Sequence, residues 1–112
     1  LGRKSAAMDP TKRFVFSVFQ TAGLCSSLPA RQLEESSRSS LERILGQWGL
    51  VITDWVPVQT SSCFATLAYA ELQRPGLNLL ELRRELTLSL AQQDLQVRVQ
   101  REDVFLNMHR LL

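Results

Sequence analysis

The last third of the chain constrains the fold most. From Leu77 the apolar residues Leu79, Leu82, Leu86 and Leu90 recur at helical spacing as far as Gln93. They then give way to Leu95-Gln-Val-Arg-Val-Gln-Arg101, in which apolar and polar residues alternate. A change of period from 3.6 to 2 predicts an amphipathic helix followed by a half-buried strand, with Leu95, Val97 and Val99 inward and Gln96, Arg98 and Gln100 toward water. Asn78 and Glu81 have the spacing of a capping box at the helix start. Such a helix has to lay its stripe on a sheet that contains such a strand, because neither apolar surface is stable in water by itself.

With 112 residues, 45% of them hydrophobic, the chain suffices for one core and is too short for two. Residues 12–112 are read as a single domain. Residues 1–11 are read as a tail outside it, disordered or added ahead of a natural start at Met8. Thirteen basic against eleven acidic residues leave a net charge of +2, and the arginines are interspersed with acids, which argues against nucleic acid as a partner. Cys25 and Cys63 are too few for a disulfide framework, and no apolar run reaches the length of a membrane span. The expectation is a reduced, cytoplasmic protein that does not enter a membrane.

Upstream, Phe14-Val-Phe-Ser-Val-Phe19 is apolar on both faces and predicts a central strand. Small residues, Gly23 and Pro29 predict a loop from Thr21 to Pro29. From Ala30 to Gly46 the residues Leu33, Ser37, Leu41, Ile44, Leu45 and Trp48 form a helical stripe. The run Ser36–Ser40 is a poor helix interior, so a break there, with Ser39 and Glu42 recapping, is one alternative. Leu50–Val56 reads as a strand that Pro57 assigns to a sheet edge or a bulge. Gln59–Ser62 reads as a polar turn. Cys63–Leu72 reads as a strand with Ala65, Leu67 and Tyr69 on one face and Phe64, Thr66, Ala68 and Ala70 on the other. The order βαββαβ predicts an α+β, ferredoxin-like domain: a four-stranded antiparallel sheet with two helices on one face.

No catalytic constellation emerges. His109 is the only histidine, near one end of the sequence, and such a residue more often lies at the surface or caps a helix than acts as a general base. One His and two separated Cys do not supply a metal-ligand spacing. No Ser, Lys or Cys sits in a nucleophile motif. The expectation is a non-enzyme without cofactor or metal. Trp48 and Trp55 suit a core or an interface, with Trp55, near Pro57, the better candidate for a dimer contact.

Three segments carry a family resemblance: Gly49-Leu-Val-Ile-Thr-Asp54, Phe64 at the start of the third strand, and Asp94-Leu-Gln-Val-Arg-Val-Gln-Arg-Glu-Asp-Val-Phe-Leu-Asn-Met-His-Arg-Leu111. The chain resembles the ACT domain, as found in stand-alone bacterial ACT proteins and at the N-terminus of phosphoserine phosphatases. The resemblance covers roughly Gly46 to Leu111. It implies a homodimeric regulatory module that binds a free amino acid, and a closing His109-Arg-Leu phrase that leads into a phosphatase catalytic domain. It also implies a ligand turn after the first strand. Here that turn is Gln20-Thr-Ala-Gly23, which keeps the family's Gly and lacks its Asp, and the segment from Leu24 to Ser40 is longer than such a connection usually is.

Backbone N–H groups at Gly23, Leu24 and Cys25 would meet the ligand carboxylate near a helix N-terminus. Asp54, with Thr53 or Gln20, would accept from its ammonium across a subunit boundary. The plainer readings are that Asp54 is solvated, that Gly23 serves backbone geometry, and that the cysteines pack as small apolar groups. Two alternatives come from other classes. One is a ferredoxin-like RNA binder that stacks bases on Phe14, Phe16, Phe64 or Tyr69. The other is a structural dimerisation domain without ligand.

Overall fold

The computed structural model describes residues 10–20, 35–59, 64–93 and 95–110. In chain order the elements are β1 (Arg13–Gln20), α1 (Glu35–Gln47), β2 (Leu50–Gln59), β3 (Phe64–Leu72), α2 (Leu79–Leu90), β4 (Leu95–Arg101) and α3 (Glu102–Arg110), with short 3-10 turns at Pro10–Lys12 and Ala91–Gln93. The strands form one sheet in the order β2-β3-β1-β4, and all three neighbouring pairs are antiparallel. α1 and α2 share a single core with one face of that sheet. This is the ferredoxin-like plan that the element order predicts.

β1 is central and apolar on both faces because both faces bury it. Phe14, Phe16 and Val18 enter the core beneath α1 and α2, and Val15, on the other face, is 1% exposed. α1 runs unbroken through Ser36–Ser40, so the Ser39–Glu42 recapping does not occur. Each serine costs a helix interior only about half a kcal/mol. Burial of Leu41, Ile44 and Leu45 returns ~1.5–3 kcal/mol apiece, and Ser37 is small enough to be buried with them. The helix stops at Gln47, and Gly49 follows with φ +82, a conformation that disfavours any side chain. The Gly49 carbonyl accepts from the Gln73 N–H at 2.7 Å, and the Arg74 guanidinium donates to the Gln47 carbonyl. The turn into β2 is thereby fastened to the end of β3.

At the start of α2 the Asn78 side-chain oxygen accepts from the Glu81 N–H at 3.1 Å, as the capping signature predicts. Trp48 Nε1 donates to Glu85 Oε1 at 2.8 Å and couples the two helices where α1 ends. β2 is an edge strand, which accommodates Pro57, and it also carries a bulge between Ile52 and Asp54, away from Pro57. The bulge sends Ile52 and Trp55 to the same side, both packed on the core under the helices. Arg38 of α1 covers the Trp55 ring at 5.9 Å from its centroid. Trp55 is thus half-buried and packed within the protomer.

The sequence reading assigned no element after Arg101; Glu102–Arg110 forms α3 directly from the end of β4 and packs against β1 and β4. Glu102 and Asp103 in its first turn favour a helix start through the helix dipole. Arg101 clasps Asp103 with two N–H groups, which holds the Asp103 carboxyl below the usual carboxylate range. Among the described residues no helix is long and apolar enough to cross a membrane. The tail 1–9, the loop 21–34 and the turn 60–63 lie outside the described residues, and so do Leu33, Cys25 and Cys63.

Candidate functional site

The strand register lays out the sheet face opposite α1 and α2 in four rows. Val51, Glu71 and Arg13 make the first; Asp54, Tyr69, Val15 and Gln100 the second; Val56, Leu67, Ser17 and Arg98 the third; Val58, Ala65, Phe19 and Gln96 the fourth. α3 begins beside the first row, where Arg13 and Glu102 form an ion pair.

Two of the sequence-derived site residues lie at this polar end. The extra residue of the bulge is Thr53, so Thr53 and Asp54 together oppose Tyr69. The Thr53 hydroxyl donates to the Tyr69 carbonyl at 3.2 Å, which occupies the hydroxyl proton and fixes the kink. Asp54 is exposed. Its charge reaches two neighbours. The Arg13 guanidinium is pushed above its ordinary range chiefly by the hydrogen bond to Glu102, against the opposing effect of burial, with added attraction from Glu102, Glu71 and Asp54. The Tyr69 phenol is raised by burial and then by the negative charges of Glu102 and Asp54. Three carboxylates thus gather around Arg13 and Tyr69. As candidate ligand residues, Tyr69 enters from sequence only as a base-stacking ring and Arg13 and Glu102 not at all, because Arg13 and Glu102 are 89 positions apart and only the register reveals that they meet.

The remaining site residues are not brought to Asp54 within one protomer. Gln20 pairs with Leu95 at the far end of β1, five residues beyond Val15 in the Asp54 row. That is about 16 Å along the strand and about 10 Å across the intervening β3. Gly23, Leu24 and Cys25 follow Gln20 and lie outside the described residues, as does the Gln20 side chain.

The fold itself is matched among solved structures. An ACT domain protein from Streptococcus pneumoniae superposes with a TM-score of 0.59 at 13% identity, covering 85% of this chain and 94% of that one. The chain has an ACT-type fold. Formyltetrahydrofolate deformylase from Burkholderia mallei also matches, with a TM-score of 0.52 at 13% identity; 80% of this chain aligns with 28% of that one. The ACT-type fold therefore occurs in that enzyme within a much longer chain. No protein-family model matches the sequence, and no curated protein sequence does.

The ACT-type arrangement also places the aromatics. Phe14 and Phe16 lie beneath the helices at 4% and 0% exposure, so neither offers a ring to a base. Tyr69 is half-buried on the opposite face, and the Phe64 side chain lies outside the described residues. A base-stacking surface on the central strands requires exposed rings, and those two phenylalanines do not provide it.

Proposed function

We propose that this chain is a regulatory ligand-binding module that holds a free amino acid between two copies of itself. The observation that carries the reading is the bulge on edge strand β2, which presents exposed Asp54 far from the β1 end that leads to Gly23. A zwitterion needs both an acceptor for its ammonium and N–H donors for its carboxylate. Asp54 from one copy and the turn Gly23, Leu24 and Cys25 from the other meet that need, with Thr53 and Gln20 beside them. Occupancy would shift the balance between two arrangements of the dimer, and a fused or separate partner would read the shift. A phosphoserine phosphatase catalytic domain is the fusion partner suggested by the closing His109-Arg-Leu phrase. This role is regulatory rather than catalytic.

Calorimetry and thermal shift against the twenty amino acids test the reading. One of them should raise the melting temperature in a saturable way. Asp54→Asn should weaken its binding by about 10- to 100-fold, the equivalent of a charge-assisted hydrogen bond, and leave the unliganded melting temperature nearly unchanged because Asp54 is exposed. Silence toward every amino acid, with a dimer present in sedimentation, would favour the ligand-free dimerisation domain instead.

A further inference from the structure

The other end of the same sheet face holds a cavity of about 710 Å³, within the ~300–1,000 Å³ range of small-molecule sites. It opens between the third and fourth rows of the sheet and α3, and continues round the outer edge of β4 to α2. Its apolar surface comes from Phe19, Val58, Leu67 and Phe105, and its charge from Arg98 and Arg83. Among the described lining residues none is acidic, whereas Asp54, Glu71 and Glu102 all lie in or beside the first two rows.

Both arginines are positioned before any ligand arrives. The Arg98 guanidinium lies 5.8 Å from the centroid of the Phe19 ring. Arg83 reaches from α2 and donates one N–H to the Val99 carbonyl at 3.2 Å. A guanidinium has five N–H donors, so that single bond leaves capacity for an anion. An apolar floor with two fixed cations at its rim matches one ligand chemistry. We propose that this cavity binds an amphipathic organic monoanion, an aliphatic or aryl carboxylate whose body lies on Phe19, Leu67 and Phe105 and whose carboxylate is held by Arg98 and Arg83. An α-amino acid fits poorly there, because its ammonium would face the guanidiniums. The site is thus distinct from the one at Asp54 and does not depend on it.

The test uses the full chain with octanoate, and octylammonium as the control of opposite charge, read by thermal shift and by amide chemical-shift titration. Octanoate should raise the melting temperature saturably and move amide signals of Ser17, Phe19 and Leu67, while octylammonium does neither. Arg98→Glu, an exposed substitution, should lower octanoate affinity at least tenfold; Arg98→Lys should restore part of it, and Asp54→Asn should leave it unchanged. Equal responses to both amphiphiles, no saturable response to octanoate, or octanoate binding indifferent to Arg98→Glu would each overturn the proposal. So would a dimer, seen by sedimentation, that Leu67→Glu dissolves and octanoate does not, because a second copy would then fill the cavity.

Discussion

On the side of the sheet beneath α1 and α2, Phe14, Phe16, Val18, Ala68 and Ala70 meet leucines of both helices in one continuous apolar core. On the other side the intervening residues of the same strands change character along their length, from Arg13, Glu71 and Asp54 through Leu67 to Phe19 and Val58. There α3 packs against β1 and β4. The first side is uniform, so its contribution is non-directional burial. The second is graded from ionic to apolar, and a graded surface is suited to orienting a ligand. Under the proposed function, stability and recognition would fall on opposite faces of one layer, through nothing more than the alternation of side chains along a strand.

That division can be broken by experiment. Phe16→Ala, at a fully buried position, should cost ~3–5 kcal/mol in urea denaturation. Leu67→Ala, at the cavity wall, should cost about 1–2 kcal/mol because water and solvent-side relaxation replace part of the lost burial. Equal costs for the two would mean that both faces are core. Glu102→Gln removes a partly exposed ion pair and should cost at most about 1 kcal/mol. Amide exchange should then accelerate in α3 and stay unchanged in α1 and α2; uniform acceleration would show that α3 belongs to the main cooperative unit.

The smallest effect is a titration. Tyr69 is the only tyrosine, so phenolate absorbance reports it alone. Burial and the charges of Glu102 and Asp54 raise it above the ordinary value of 10.0. The fold therefore favours the neutral phenol. The associated stability is complete below that ordinary value and is lost as pH climbs through the higher value of the folded state. Asp54→Asn and Glu102→Gln should each bring the midpoint down. A midpoint at or below 10.0 in the native protein would remove Tyr69 from the carboxylate cluster.

Much of the layer on the helix side was legible in the sequence. The two-sided apolarity of β1, the alternation of β4 and the Asn78 cap each follow from local chemistry, and each occurs. What was not legible depends on contacts between distant residues. The uninterrupted α1 reflects burial against the sheet overriding the weak helix preference of the serines, and no local pattern in Ser36–Ser40 reveals that. α3 was missed because the closing segment was read for its resemblance to a family phrase, although Glu102 and Asp103 already had the acidic character of a first helical turn. In the candidate site, Asp54 is named from its segment alone. Its surroundings, Arg13, Tyr69 and Glu102, required knowledge of the register.

The extra residue at position 53 has a further consequence. Along an extended chain, even spacing keeps two side chains on one side; Ile52 and Trp55, at odd spacing, share a side only because Thr53 interrupts the count. Deleting Thr53 would bring Ile52 and Trp55 to even spacing and leave Asp54 opposite Tyr69, Trp55 opposite Ala68 and Val56 opposite Leu67. A single codon lost there would straighten the strand and leave every residue on the side it now faces, whereas a codon gained or lost further along, with no bulge to absorb it, would turn the remaining residues over.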